Sequence, residues 1–293
     1  MSGTRLTFFL RLISTIGLWA LILATIFSGN EFAFFIVISG MALVALWEYF
    51  RMLEQDHIPV FKLTGMICAA VFMSGSFYYF SAYGPGRALD FELAIMVLFL
   101  MVMFGRQMFA SMRDREPLQT MAYTLFGLLY IPWLFNFVAK ILFLMPRSED
   151  GSPTGQYYVL FLVLVTKFSD MGAYVFGSVF GKRPLVPHIS PKKTWEGLAG
   201  ALACAMLGSF WLAFLMPDKL EVFDLVDFAV LGFVLGLAAI IGDLAESIVK
   251  RSAHSKDSSS VLPGIGGTLD LIDSLLFTAP ILYFYMRLVL GIF

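Results

Sequence analysis

The run Gly197-Leu-Ala-Gly-Ala-Leu-Ala-Cys-Ala-Met-Leu-Gly-Ser-Phe-Trp-Leu-Ala-Phe-Leu-Met216 carries no charged side chain over twenty residues. At ~1.5 Å rise per residue, a helix of about that length crosses the hydrocarbon core of a bilayer. The same criterion selects Leu12–Ser28, Phe32–Phe50, Leu63–Phe80, Phe91–Gly105, Met121–Val138, Tyr157–Phe180, Val226–Ile241 and Ser274–Phe293. The stretches at Phe91 and Val226 are short for a crossing. Composition agrees, since 59% of residues are hydrophobic and 14% are charged, where a soluble chain carries roughly 25% charged residues. Lipid must be the solvent for much of this chain, and a lipid-exposed backbone satisfies itself best as helix. The expected fold is therefore all-α, a polytopic transmembrane helical bundle of about nine spans.

Loop charges predict the orientation, because cytoplasmic loops accumulate Lys and Arg. With the N-terminus cytoplasmic, fourteen basic residues fall in inside loops: Arg5, Arg11, Arg51, Lys62, Arg106, Arg113, Arg115, Lys182, Arg183, Lys192, Lys193, Lys250, Arg251 and Lys256. Four fall outside: Arg87, Lys140, Arg147 and Lys219. Lys167 and Arg287 lie within spans. Arg5 and Arg11 precede an apolar run with no small-x-small cleavage site after it, so that run reads as an uncleaved anchor. A net charge of −1 gives no global attraction to nucleic acid. Cys68 and Cys204 each sit in an apolar run without a second thiol, which argues against a disulfide framework or a thiolate metal site. No linker, internal repeat or low-complexity tract interrupts the chain. It reads as one integral membrane domain over residues 1–293, with N-terminal spans in 1–150 and the polar motifs concentrated after Lys167.

Two inside loops exceed what a connector needs. The first runs Gly177-Ser-Val-Phe-Gly-Lys-Arg-Pro-Leu-Val-Pro-His-Ile-Ser-Pro-Lys-Lys-Thr-Trp-Glu-Gly197; the second runs from Gly242 to Ser274. Asp243 ends the eighth span, and Asp270 and Asp273 precede the ninth. If residues 270–274 open a helix, the latter two lie one turn apart on one face. Carboxylates at a membrane boundary are functional candidates. Helix capping is the competing reading, although Asp243 near a helix C-terminus fits it poorly. Oxygen ligands without His or Cys suit Mg²⁺ rather than zinc.

Ser247 and Lys250 follow Asp243 at i+4 and i+7, so a continuing helix would show all three on one face. Arg251 and Lys256 follow, and with Lys192 and Lys193 they suit an anion carrying several phosphates, beyond their topological role. Pro263-Gly-Ile-Gly-Gly267, with Gly264, Gly266 and Gly267, precedes a helix start, where backbone N–H groups can approach phosphate oxygens. Gly177 to Lys182 is not a P-loop, because its glycine spacing is short and Arg183 replaces the Ser/Thr. Lys167 and Asp170, one turn apart, either neutralise each other or line a polar cavity. His188 and His254 read as solvated loop residues.

The segment Ser247–Ser274 resembles the signature of the phosphatidate cytidylyltransferase (CDP-diacylglycerol synthase) family: Ser-x-x-Lys-Arg, then Lys-Asp, then Pro-Gly-His-Gly-Gly-x-x-Asp-Arg-x-Asp-Ser. Ser247, Lys250, Arg251, Lys256, Asp257, Pro263, Gly264, Gly266, Gly267, Asp270, Asp273 and Ser274 match it. Ile265 replaces the pattern's His and Leu271 its Arg. Ser190-Pro-Lys-Lys-Thr-Trp-Glu-Gly197, Asp170-x-x-Ala-Tyr174 and Gly242-Asp243 are similar to the same family.

The resemblance implies transfer of CMP from CTP to phosphatidate, giving CDP-diacylglycerol and pyrophosphate, with residues 157–293 as the catalytic membrane region. It implies Mg²⁺, with a second cation allowed, on Asp243, Asp270 and Asp273. Ser247, Lys250, Arg251, Lys256 and Asp257 are the implied remainder of the catalytic set. Asp170, Ser190, Lys192, Lys193, Thr194, Glu196, Gly264, Gly266 and Gly267 are the implied substrate-binding set, serving the lipid phosphate or the triphosphate. The implied setting is a multi-pass membrane protein (the inner or plasma membrane in a bacterium) with its site facing the cytoplasm. A homo-oligomer is compatible with this and is not required. Two other readings stay open: a kinase or cytidylyltransferase for another membrane lipid, and an ion-coupled transporter.

Overall fold

The computed structural model describes residues 16–17, 19–109, 116–146, 154–254 and 266–292. Arg5, Arg11, Arg113, Arg115, Arg147, Lys256, Asp257 and Gly264 lie outside the described residues. Eight helices among those described are long and apolar enough to cross a membrane. Each matches one of the nine expected stretches. Of the first stretch, residues 19–27 are helical. The protein is all-α and polytopic. A two-stranded hairpin is the one sheet among the described residues.

The chain divides into two units, one built from residues 1–143 and 252–271, the other from 144–251 and 272–293. In the first, α1 (Glu31–Gln55), α2 (Lys62–Tyr83) and α3 (Ala88–Met108) are followed by α4 (Pro117–Leu128) and α5 (Leu134–Leu144). Asn30 starts α1 by accepting the N–H groups of Phe32 and Ala33 on its side-chain oxygen, the cap that leaves fewest orphan donors. Pro117 opens α4 where no N–H is needed. Between α4 and α5, Leu129–Trp133 form a π turn around Pro132, and the wider turn accommodates a residue that cannot donate. The core here is aromatic, with Phe72 stacked on Trp133 and Tyr49 donating its hydroxyl to the Tyr123 carbonyl. One ion pair is fully internal: Lys140 lies 2.5 Å from Glu92, which also accepts from Asn136.

The second unit contains α6 (Gln156–Phe180), β1 (Pro184–Val186), β2 (Ser190–Thr194), α7 (Trp195–Leu215) and α8 (Leu225–Ser252). It also takes most of α9 (Thr268–Phe284), which begins in the first unit. Its helices pack through small residues. A Cβ at Gly172 would stand 2.4 Å from the Gly200 carbonyl oxygen, so α6 and α7 touch backbone to backbone. Between helices, Ser169 donates to Gly236, Ser209 to Phe228 and Thr166 to Thr278. Small contacts and hydroxyl bridges are what remain to hold helices together where lipid removes the hydrophobic drive.

Three elements differ from expectation. The fourth and eighth stretches are not short: they are helices of 21 and 28 residues. Charged residues at their ends had masked helix that continues past the apolar run. The last helix starts at Thr268 rather than Ser274, which places Asp270 and Asp273 inside its first turns.

Candidate active site

The site in the second unit starts from the length of α8. The helix does not stop at Ile241 but runs on to Ser252. Asp243 is therefore not at a helix end, and Asp243, Glu246, Ser247 and Lys250 form one face at i, i+3, i+4 and i+7. Gly242 brings α9 against that face. A Cβ there would meet the Asp273 carbonyl oxygen at 2.7 Å and the Ser274 Cα at 2.9 Å.

This approach gathers carboxylates. Asp243, Glu246 and Asp273 each offer an oxygen within 4.8 Å of the others. Glu246 and Asp273 are buried, while the Asp243 side chain is 45% exposed. Ammonium groups surround them. Lys250 pairs with Glu246 at 2.8 Å, and Lys193 of β2 reaches Asp243 at 2.8 Å. From α6, Lys167 pairs with Asp170 at 2.9 Å and also attracts Asp273 and Asp243. Asp170 accepts the Ser274 hydroxyl at 3.1 Å. Lys167 and Asp170 form an ion pair, which the Ser274 hydroxyl joins to α9. Three hard carboxylate oxygens converging at one partly open point, with no His or Cys among them, fit a cation of the Mg²⁺ or Ca²⁺ type.

Other expected residues have identifiable structural tasks. The Ser247 hydroxyl donates to the Asp243 backbone carbonyl. Thr194 caps α7 by accepting the Gly197 N–H at 3.1 Å. Glu196 accepts the N–H groups of Lys182 and Arg183, closing the loop onto the helix start. β1 and β2 pair antiparallel, Pro184 with Thr194 and Val186 with Ser190, and this hairpin presents Lys193 to Asp243. Ser190 and Lys192 lie on the same strand, with Lys192 exposed, and Arg251 is exposed beside Lys250.

Asp270 is not in the converging group. Its carboxylate accepts the Gly267 N–H at 3.3 Å, within the first unit. Gly266 has φ +121°, and a Cβ there would stand 2.8 Å from Asp270 Oδ2, so both the backbone and the space require glycine. Sequence reasoning missed Glu246. The signal was present in its i+3 spacing from Asp243, on the face already recognised.

Residues 9–289 match the family described as the Cytidylyltransferase family. A phosphatidate cytidylyltransferase of Haemophilus influenzae is 31% identical over 294 residues, covering 94% of this chain and 97% of that relative. One from Bacillus subtilis is 30% identical over 260 residues, covering 88% and 90%. One from Mycobacterium leprae is 37% identical over 165 residues, covering 56% and 49%.

Proposed function

The chain belongs to the cytidylyltransferase family, and from that membership we propose that it transfers the cytidylyl group of CTP to phosphatidate. The products are CDP-diacylglycerol and pyrophosphate. The observation that most supports this reading is the convergence of Asp243, Glu246 and Asp273 amid Lys167, Lys193 and Lys250. A phosphomonoester has its second pKa at about 6, so the attacking oxygen of phosphatidate is already largely deprotonated at neutral pH. The reaction therefore asks for alignment and charge neutralisation rather than a general base. These residues supply both.

In this reading Asp243, Glu246 and Asp273 would hold Mg²⁺. When bound, the ion neutralises phosphate charge and polarises the phosphoryl oxygens. Lys193 and Lys250 turn from their carboxylates toward phosphate oxygens, and Arg251 stabilises the departing pyrophosphate. Asp170 and Ser274 hold Lys167 in place beside Asp273. The chemistry belongs to residues 157–293. The hairpin and the α8–α9 connection face the cytoplasm, as the basic-loop bias indicates, so CTP reaches the site from water while the acyl chains stay in lipid.

The direct test is turnover of α-labelled CTP by purified protein with phosphatidate, with and without Mg²⁺. Labelled lipid and pyrophosphate should form together and only with both additions. Consumption of ATP without use of CTP, or labelling of an isoprenoid phosphate in preference to phosphatidate, would overturn the assignment.

A further inference from the structure

Glu48 lies in the middle of the apolar segment Trp47-Glu-Tyr-Phe50 of α1 and is 0% exposed. A carboxylate so placed needs strong donors. It finds them at a distant point of the chain. Oε1 accepts the N–H of Thr268 at 3.0 Å and Oε2 the N–H of Leu269 at 2.9 Å, both within the first unit. These are the first two residues of α9.

Every helix start leaves N–H groups without intrahelical partners, and a side chain at the preceding position ordinarily accepts them. Before α9 that position is Gly267, which has no side chain. Half of a local capping arrangement exists, because Asp270, at the third helical position, reaches back to the Gly267 N–H. Glu48 supplies the missing half from another helix, and its negative charge meets the positive end of the α9 dipole. The N–H groups of Gly267, Thr268 and Leu269 are thus all engaged by carboxylates. Gly266, in its left-handed conformation against Asp270, closes the turn.

We propose that Glu48 is a positioning residue for the cytidylyl transfer: by capping α9 from α1, it sets where that helix begins and so where Asp270 and Asp273 stand. This rests on the function proposed above. Glu48 is fully buried, so its effect passes through α9 rather than through contact with a substrate. Loss of the cap lets the first turn of α9 fray, which frees Asp270 from its bond to Gly267 and loosens the helix that presents Asp273.

The test is Glu48→Gln, which keeps the shape but loses the charge and one acceptor, assayed per folded molecule. A supporting group behind a ligand typically accounts for ~10- to 100-fold in activity or metal affinity. We expect kcat to fall within that range and the Mg²⁺ concentration for half-activation to rise, with KM for CTP nearly unchanged. Hydrogen exchange at the amides of 268–271 should accelerate. Thr268→Pro removes one of the two bonds from the donor side at a position that tolerates proline. It should lower kcat in the same way, and it keeps the proposal testable if the Gln variant does not accumulate. Unchanged kcat per folded molecule in either variant overturns the positioning role, including the case where only melting temperature falls. An inactive wild type would overturn the function reading, while the exchange measurement would still report on the cap.

Discussion

Lys193 Nζ stands 2.8 Å from Asp243 Oδ2, joining a strand of the hairpin to the middle of α8. The Asp243 side chain is 45% exposed, and an ion pair that wet contributes only about 0–1 kcal/mol to stability. The contact therefore places a cation at the carboxylate cluster more than it holds the fold.

Lys193→Met should leave the melting temperature almost unchanged and lower kcat/KM. Loss of one charge-assisted hydrogen bond to a phosphate corresponds to roughly ten- to a hundredfold. Lys193→Arg should retain part of the activity. Activity in the Met variant that falls only in proportion to folded protein would assign this lysine a structural task.

Asp243→Asn, Glu246→Gln and Asp273→Asn should each lower kcat on the order of a hundredfold, as removal of one preorganised electrostatic group does. Chelation should abolish turnover and added Mg²⁺ restore it. Mn²⁺ binding followed by paramagnetic resonance gives a second readout. Full Mn²⁺ affinity in all three variants would remove the cation from this cluster.

The buried pair of Glu92 and Lys140 predicts asymmetry between single and double changes. Lys140→Met strands the Glu92 carboxylate in the interior, which costs about 3–5 kcal/mol. Adding Glu92→Leu should recover most of that loss. Thermal melts in detergent decide the matter: equal destabilisation in the single and double variants would contradict it. Activity per folded molecule should not change, because no site residue is touched.

His254 and Asp56 lie 2.8 Å apart, and the hydrogen bond and then the charge of Asp56 raise the imidazole pKa above 6.5. A base stabilised this way contributes to folding fully below its unfolded pKa and loses that contribution as pH rises through the folded one. The melting temperature of the wild type should therefore decline slightly across neutral pH, and Asp56→Asn should flatten that decline. The histidine is 82% exposed, so the slope will be shallow. Parallel slopes in the two proteins would dismiss the linkage.

Orientation is open to direct labelling. Cysteines placed at Lys182 and at Arg251 should resist a membrane-impermeant thiol reagent in intact cells and react after permeabilisation. Reaction at either position without permeabilisation would reverse the assigned topology.

The helices were legible because lipid imposes a simple length and composition rule, and Gly197–Met216 obeys it without exception. Their ends were less so. Past Ile241 the residues turn polar, yet α8 continues because its side chains there face carboxylates and lysines rather than lipid. The Asp243, Ser247, Lys250 face was readable from spacing alone. Glu246 lies on it and was overlooked, since no motif marked it. Glu48 had no local signal at all: its partners lie more than two hundred residues away, and one Glu beside Tyr49 looks like any polar interruption of a span. The hairpin at Pro184–Thr194 also escaped, because so short a pair, rich in Pro and Lys, has no clear alternation to read.

Gly242 finally bears on ion discrimination. Mg²⁺ and Ca²⁺ differ chiefly in how tightly oxygens must close around them. With the proposed cation on Asp243, Glu246 and Asp273, that closeness would depend on a position with no side chain, where one methyl group would meet the Asp273 backbone. A wedge of a single carbon at residue 242 would spread Asp243 and Asp273 and tilt preference toward the larger ion. Selectivity at the proposed site would then be governed by a residue outside its ligand set.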